Sequence, residues 1–170
     1  MNINKLFENK KYLQQEYEYY LQHNQLRRIQ TNPQLTQAHL TKAKHNLAFH
    51  NKNTDNNKFL DWLIITLYYA LYHAALALIT NKKHTSKNHY ATILVLIKEY
   101  AITQEEAQLL NELAINKQDA QLYTQLKQER EKASYHTTTA FTHKQVHNYR
   151  QQTIAFINKT QEILHKETNT

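Results

Sequence analysis

LIITLYYALYHAALALIT, Leu63 to Thr80, runs for 18 residues without a formal charge. That length lies at the lower edge of what crosses a bilayer. Four polar rings, Tyr68, Tyr69, Tyr72 and His73, sit at its middle, where lipid would leave their hydroxyl and imidazole groups unpaired. A helix that is apolar on nearly all sides belongs at the centre of a bundle, wrapped by other helices. The stretch therefore predicts a buried core helix over about Phe59 to Asn81, with no membrane span.

Working outward, the chain reads as helices separated by polar, Asn-rich breaks. The first is expected from about Ile3 to Gln30, with Leu6, Leu13, Tyr17, Tyr20 and Leu21 on one stripe. Thr31-Asn32-Pro33 ends it, because the residue before a proline avoids the helical region. The second is expected over Leu35 to Asn51, through Leu40, Ala43, Leu47 and His50, and Asn51 to Asn57 follows as a solvated loop. After the core helix, Lys82 to Asn88 is a break, with Ser86 or Asn88 placed to cap a helix carrying Ile93, Leu94, Leu96 and Ile97. Thr103 and Glu106 have capping-box spacing and open a helix through Leu109, Leu110 and Leu113. Asp119 can cap a further helix through Leu122, Leu126 and Ala133, ended by the β-branched Thr137-Thr138-Thr139. A last helix is expected over His143 to Lys166, and residues 167–170 should fray.

Composition supports helices and removes several chemistries. The chain has 170 residues, no Gly, no Cys and one Pro, Pro33. Without glycine there is no P-loop, no dinucleotide-binding fingerprint and no nucleophile elbow. Without cysteine there are no disulfides, thiolate metal sites or cysteine nucleophiles. So few Gly and Pro also argue against a hairpin-rich β fold, which leaves Asn to make the turns. Lys and Arg total 21 against 14 Asp and Glu, a net charge of +7. Such a surface attracts polyanions. Met1 to Tyr20 carries Glu8, Lys10, Lys11, Glu16 and Glu18 and so has no apolar signal core, which points to the cytoplasm.

Four segments in order resemble one known family. They are LTKAKHNLAFH (Leu40 to His50), DWLIITLYYALYHAALALI (Asp61 to Ile79), NKKHTSKNHYATILVLI (Asn81 to Ile97) and QEREKASYH (Gln128 to His136). The second is similar to a family core helix of the form YYAxFHAAxALL, and the fourth to an R-x-x-A-[DS]-Y region. A closing helix with Ala155-Phe156 near its middle also fits. Together they cover roughly residues 35 to 165 and resemble the HEPN domain (higher eukaryotes and prokaryotes nucleotide-binding). The resemblance implies an all-α, HEPN-like antiparallel helical bundle over 35–166, preceded by an N-terminal helical extension over 1–34.

Active members of that family are metal-independent ribonucleases with an R-x(4–6)-H motif, which Arg130 and His136 match. RNA brings its own nucleophile, the 2′-hydroxyl. Histidine titrates near neutrality and can serve as acid or base. Arginine stays charged and offers planar donors to phosphate oxygens. The resemblance makes Arg130 and His136 the catalytic candidates, with Ser134 and Tyr135 in support, no cofactor and no metal. Six residues along a helix rotate by about 240°, so the two do not share a face of a continuous helix. Either the helix ends near Ser134 or two chains share the site. The resemblance favours sharing, and with it a homodimer. It also implies an RNA-targeting toxin or defence module, with a small nucleotidyltransferase as antitoxin partner. The alternative is a non-catalytic nucleotide- or RNA-binding HEPN module, or a protein-interaction adaptor, which does not need His136.

Other residues stand out. Tyr69, Tyr72 and His73, with Tyr68, form a partly polar stripe that either lines a nucleotide cleft or completes a hydrogen-bonded core. Lys82, Lys83 and Lys87 are candidate contacts to RNA phosphate, in a loop that solvation explains equally well. His84 and His89 flank Lys87, and His143 and His147 stand at i, i+4. Neither pair has the further ligand that a metal site needs, so no metal site is predicted.

Overall fold

The computed structural model describes residues 3–54, 59–114 and 141–168 of the chain. Its elements, in chain order, are α1 (Ile3–Glu8), α2 (Lys10–Gln22), β1 (Leu26–Arg28), α3 (Pro33–Asn53), α4 (Leu60–Asn81), β2 (His84–Ser86) and α5 (His89–Tyr100). Then come α6 over 104–114 and α7 (His143–Thr168). The fold is an all-α helical bundle carrying one small two-stranded ribbon.

The core helix forms where its sequence predicts. Ile64, Leu67, Ala70, Leu71, Ala74, Ala75, Ala77 and Ile79 of α4 have no exposed surface. They cover more than half of the helix circumference, and α3, α5 and α7 pack around the helix. Among the described residues α4 is the one helix long and apolar enough to cross a membrane, and 78% of its apolar window is buried inside the bundle. Each fully buried Leu or Ile contributes roughly 1.5–3 kcal/mol.

His50 of α3 meets Leu63 and Thr66 of α4, while His39 meets His73, so the two helices run antiparallel. At the start of α7, Arg150 Nε donates to Asn51 Oδ1 of α3 at 2.7 Å. At its end, Glu167 pairs with Lys82 at 2.7 Å and accepts from Asn81. These contacts carry the helix through Thr168, past the expected end at Lys166. In its middle turn α5 buries Ile93, Leu94, Val95 and Leu96 completely.

Capping follows short-range chemistry. Asn88 caps α5, its Oδ1 accepting from Ala91 N–H at 3.0 Å, while Ser86 instead donates to the Gln25 carbonyl. The box at α6 is reciprocal: Thr103 N–H donates to Glu106 Oε2 at 2.8 Å and Glu106 N–H to Thr103 Oγ1 at 3.2 Å. Asn32 caps α3, with Pro33 in its first turn. The helix therefore starts two residues before the expected Leu35, since proline suits a helix start as well as it blocks an interior, and it runs two residues past Asn51.

The long first helix is a correction. Asn9 breaks it, its side chain accepting from Tyr12 N–H at 2.9 Å, and it stops at Gln22. Asn24 then turns left-handed at φ 56°, and residues 26–28 leave the helix to pair with β2. The register is antiparallel, Leu26 opposite Ser86, Arg27 opposite Thr85 and Arg28 opposite His84. The Lys82 to Asn88 break thus holds a strand as well as a loop. With no glycine available, Lys83 (φ 59°) and Ala101 (φ 45°) share the left-handed corners with Asn24, so Asn does not make the turns alone. The expected helix after Asp119 and the break at Thr137 to Thr139 lie outside the described residues.

Candidate nucleic-acid interface

The ribbon gathers the cationic side chains. Arg27 and Arg28, two of the four arginines in the chain, occupy adjacent positions on β1 and are both exposed. Pairing sets them beside Thr85 and His84 of β2. Lys83 and Lys87, also exposed, bracket β2 in the chain. Between the two segments lies a hollow of about 370 Å³, lined by Asn24, Gln25, Arg27, Thr85, Ser86, Lys87 and Asn88. A neighbouring hollow of about 490 Å³ includes Arg27 and Arg28, with Glu18 on its rim.

The walls are held by their own hydrogen bonds. Ser86 Oγ lies 2.9 Å from the Gln25 carbonyl and accepts from Asn88 N–H at 2.9 Å. Asn88 Nδ2 donates to Gln25 Oε1 at 2.8 Å. Arg27 Nε donates to the Asn24 carbonyl at 3.3 Å, which leaves the rest of its guanidinium for a ligand. Beneath the ribbon, His84 Nδ1 lies 2.6 Å from the Lys82 carbonyl, so that nitrogen carries the proton. Its Nε2 then accepts from the Tyr17 hydroxyl at 2.7 Å. Burial lowers the His84 pKa, keeping the ring neutral, and raises that of Tyr17 against the opposing pull of Arg28. The Lys98 ammonium sits 4.2 Å from the Tyr17 ring centre. The ribbon therefore rests on a hydrogen-bonded Tyr17–His84 pair with Lys98 over the tyrosine ring.

An aromatic platform stands at the same end of the molecule. Tyr19 is half exposed, and the exposed His23 ring packs against it at 4.0 Å. Tyr19, Tyr20 and Tyr90 form a chain of edge-on rings that leads to the first turn of α5, next to Asn88. Guanidinium groups that fit phosphate, amides that fit sugar and base edges, and one exposed ring are the parts of a single-strand binding surface.

The residues singled out from sequence divide. Lys82 is engaged elsewhere: its ammonium pairs with Glu167 at 2.7 Å and lies 5.2 Å from the Tyr100 ring centre. Lys83 and Lys87 remain on the ribbon. The structure gives Tyr69, Tyr72 and His73 different neighbours. Tyr72 stacks on the buried Tyr68 and packs against His89 of α5. Its pKa is raised by burial, with Thr92 as a hydrogen-bonding neighbour. Tyr69 is on the outer side, edge-on to Tyr68. His73 pairs with His39 of α3. Arg130, Ser134, Tyr135 and His136 lie outside the described residues. Sequence reasoning missed Arg27, Arg28 and Tyr19 as site residues. The adjacent arginines were a visible signal, but nothing local placed them beside residues 84–88.

No protein-family model matches the chain, and no curated protein is significantly similar to it.

Proposed function

We propose that this protein is an RNA-binding helical module of HEPN type. The observation that supports the reading is the pairing of β1 with β2, which joins Arg27 to Lys87 around one polar hollow, with Arg28 beside Arg27 in the neighbouring one. The phosphate backbone lies along the ribbon, held by the guanidinium groups, and a base stacks on Tyr19. The HEPN part rests on the four sequence segments. From that resemblance come the homodimer and a nucleotidyltransferase as partner, within a toxin or defence module, and the charged N-terminal stretch adds a cytoplasmic setting.

The direct test is fluorescence anisotropy with a labelled single-stranded RNA at several salt concentrations. The Arg27→Ala/Arg28→Ala variant should bind more weakly and flatten the salt dependence by about 1.4, the loss of two single-strand phosphate contacts. An unchanged slope would remove the ribbon from the interface.

A second reading, the metal-independent endoribonuclease, is favoured by the R-x(5)-H spacing of Arg130 and His136. In it the histidine moves the proton of the 2′-hydroxyl or of the leaving oxygen, and the arginine stabilises the phosphorane. Purified protein incubated with cellular RNA in EDTA, beside His136→Ala, separates the two readings. Cleavage lost in the variant supports the enzyme, while equal or absent cleavage leaves a binding module.

A further inference from the structure

Tyr19 aside, every large apolar side chain exposed among the described residues belongs to the α3–α4 pair: Phe49, Phe59, Trp62 and Tyr69. Phe49 is 52% and Trp62 49% exposed. Trp62 and Tyr69 stand two turns apart on one face of α4, with Phe59 one turn before them at the helix cap. On α3 the exposed residues Lys42, His45, Phe49 and Lys52 are spaced three, four and three, which is also one helix face.

The two faces adjoin. His50 meets Leu63 and Thr66, and His39 meets His73, so Phe49 is level with Trp62, and Lys42 with the turn between Tyr69 and His73. Lys42 is near enough to His73 to oppose its protonation, which puts both stripes on the same side of the pair. Single exposed rings are ordinary, but a cluster of them bordered by charge is a contact face.

Charge chooses the occupant. Of the ionic side chains on α3 and α4, Lys42, Lys44 and Lys52 are cations, and the half-buried Asp61 is the one anion. A second copy docked on the same face would set Lys42 and Lys52 against cations. About half of each ring already packs on the bundle, which leaves too little apolar depth for a bilayer. Rings sunk along a seam between two cationic rows suit a third helix laid beside them.

We infer that the outer face of α3 and α4 docks an acidic amphipathic helix of a partner protein. The apolar stripe of that helix covers Phe49, Trp62 and Tyr69, and carboxylates flanking the stripe reach Lys42 and Lys52. The face lies toward the start of α4, whereas the ribbon follows the end of α4 at Asn81, so the inference does not rest on the RNA reading.

Trp62 is the one tryptophan of the chain, so its emission reports on this face directly. The probe is a synthetic helix of about five turns, leucine at i, i+3, i+4 and i+7 and glutamate on both flanks. Its twin carries lysine for every glutamate. The glutamate peptide should shift Trp62 emission of the full chain to shorter wavelength, and the lysine twin should not. Lys42→Glu/Lys52→Glu, at two exposed positions, should weaken the first peptide by about tenfold and admit the second. No shift with the glutamate peptide, or an equal response to both, overturns the proposal. So does a concentration-dependent shift that tracks a dimer in light scattering, which gives the face to a second copy. A shift produced by single-stranded RNA or phosphatidylglycerol vesicles and not by the peptide overturns it as well.

Discussion

Tyr17 and His84, 67 residues apart in the chain, share a buried 2.7 Å hydrogen bond that ties α2 to the ribbon. The Lys82 carbonyl takes the Nδ1 proton, so His84 Nε2 has only the tyrosine hydroxyl as its donor. Tyr17→Phe removes that donor and leaves a buried acceptor unpaired. The expected cost is about 1–3 kcal/mol, read from the urea midpoint. RNA affinity should fall as well, because the ribbon loses its floor. A variant as stable as wild type would show that the bond is dispensable.

Stability should fall on acidification. His39, His50, His73 and His84 all have lowered pKa values, first of all through burial, His50 and His73 reaching about 4. The unfolded chain, with histidines near the usual 6.5, binds protons before the folded one does. Stability is thus complete above about pH 6.5 and is lost as the pH drops toward 4. Each group steepens the loss by up to about 1.4 kcal/mol per pH unit. His50, fully buried with its Nε2 unpaired, should be a main contributor. His50→Leu should flatten the curve of urea midpoint against pH, and identical curves would refute its part.

The left-handed corners offer a gain. Ala101 sits at φ 45° just after α5, a conformation that costs an L-residue about 1–2 kcal/mol. Glycine carries no such penalty but is freer in the unfolded chain. Ala101→Gly should raise stability by about 0.5–1 kcal/mol. A thermal melt that shifts down would mean that the methyl group makes packing worth more than the strain.

The ring platform can be tested apart from the charges. Tyr19→Ala should weaken single-stranded RNA binding by about 1–3 kcal/mol, the worth of one stacked base. The salt slope should stay at the wild-type value, because no phosphate contact is lost. A reduced slope with no loss at high salt would place Tyr19 among the electrostatic contacts instead.

Much of the fold was legible residue by residue. The identity of α4 as the core followed from an uncharged run too polar in its middle for lipid. The Thr103–Glu106 box and the Asn88 cap followed from side chains that reach three residues along the chain. These are local interactions, and the order of residues contains them. The tertiary structure decided the rest. Leu26 to Arg28 continue a pattern compatible with helix, and they become a strand because residues 84–86 offer unpaired backbone groups across space. The same pairing, not any local motif, brings Arg27 to Thr85, Ser86 and Lys87 around one hollow. Packing likewise turned Tyr72 to α5 and His73 to α3 from neighbouring positions on one helix, and it withdrew Lys82 into a pair with Glu167, 85 residues away. Helices and caps depend on neighbours in sequence, whereas a surface depends on which distant segments the core brings together.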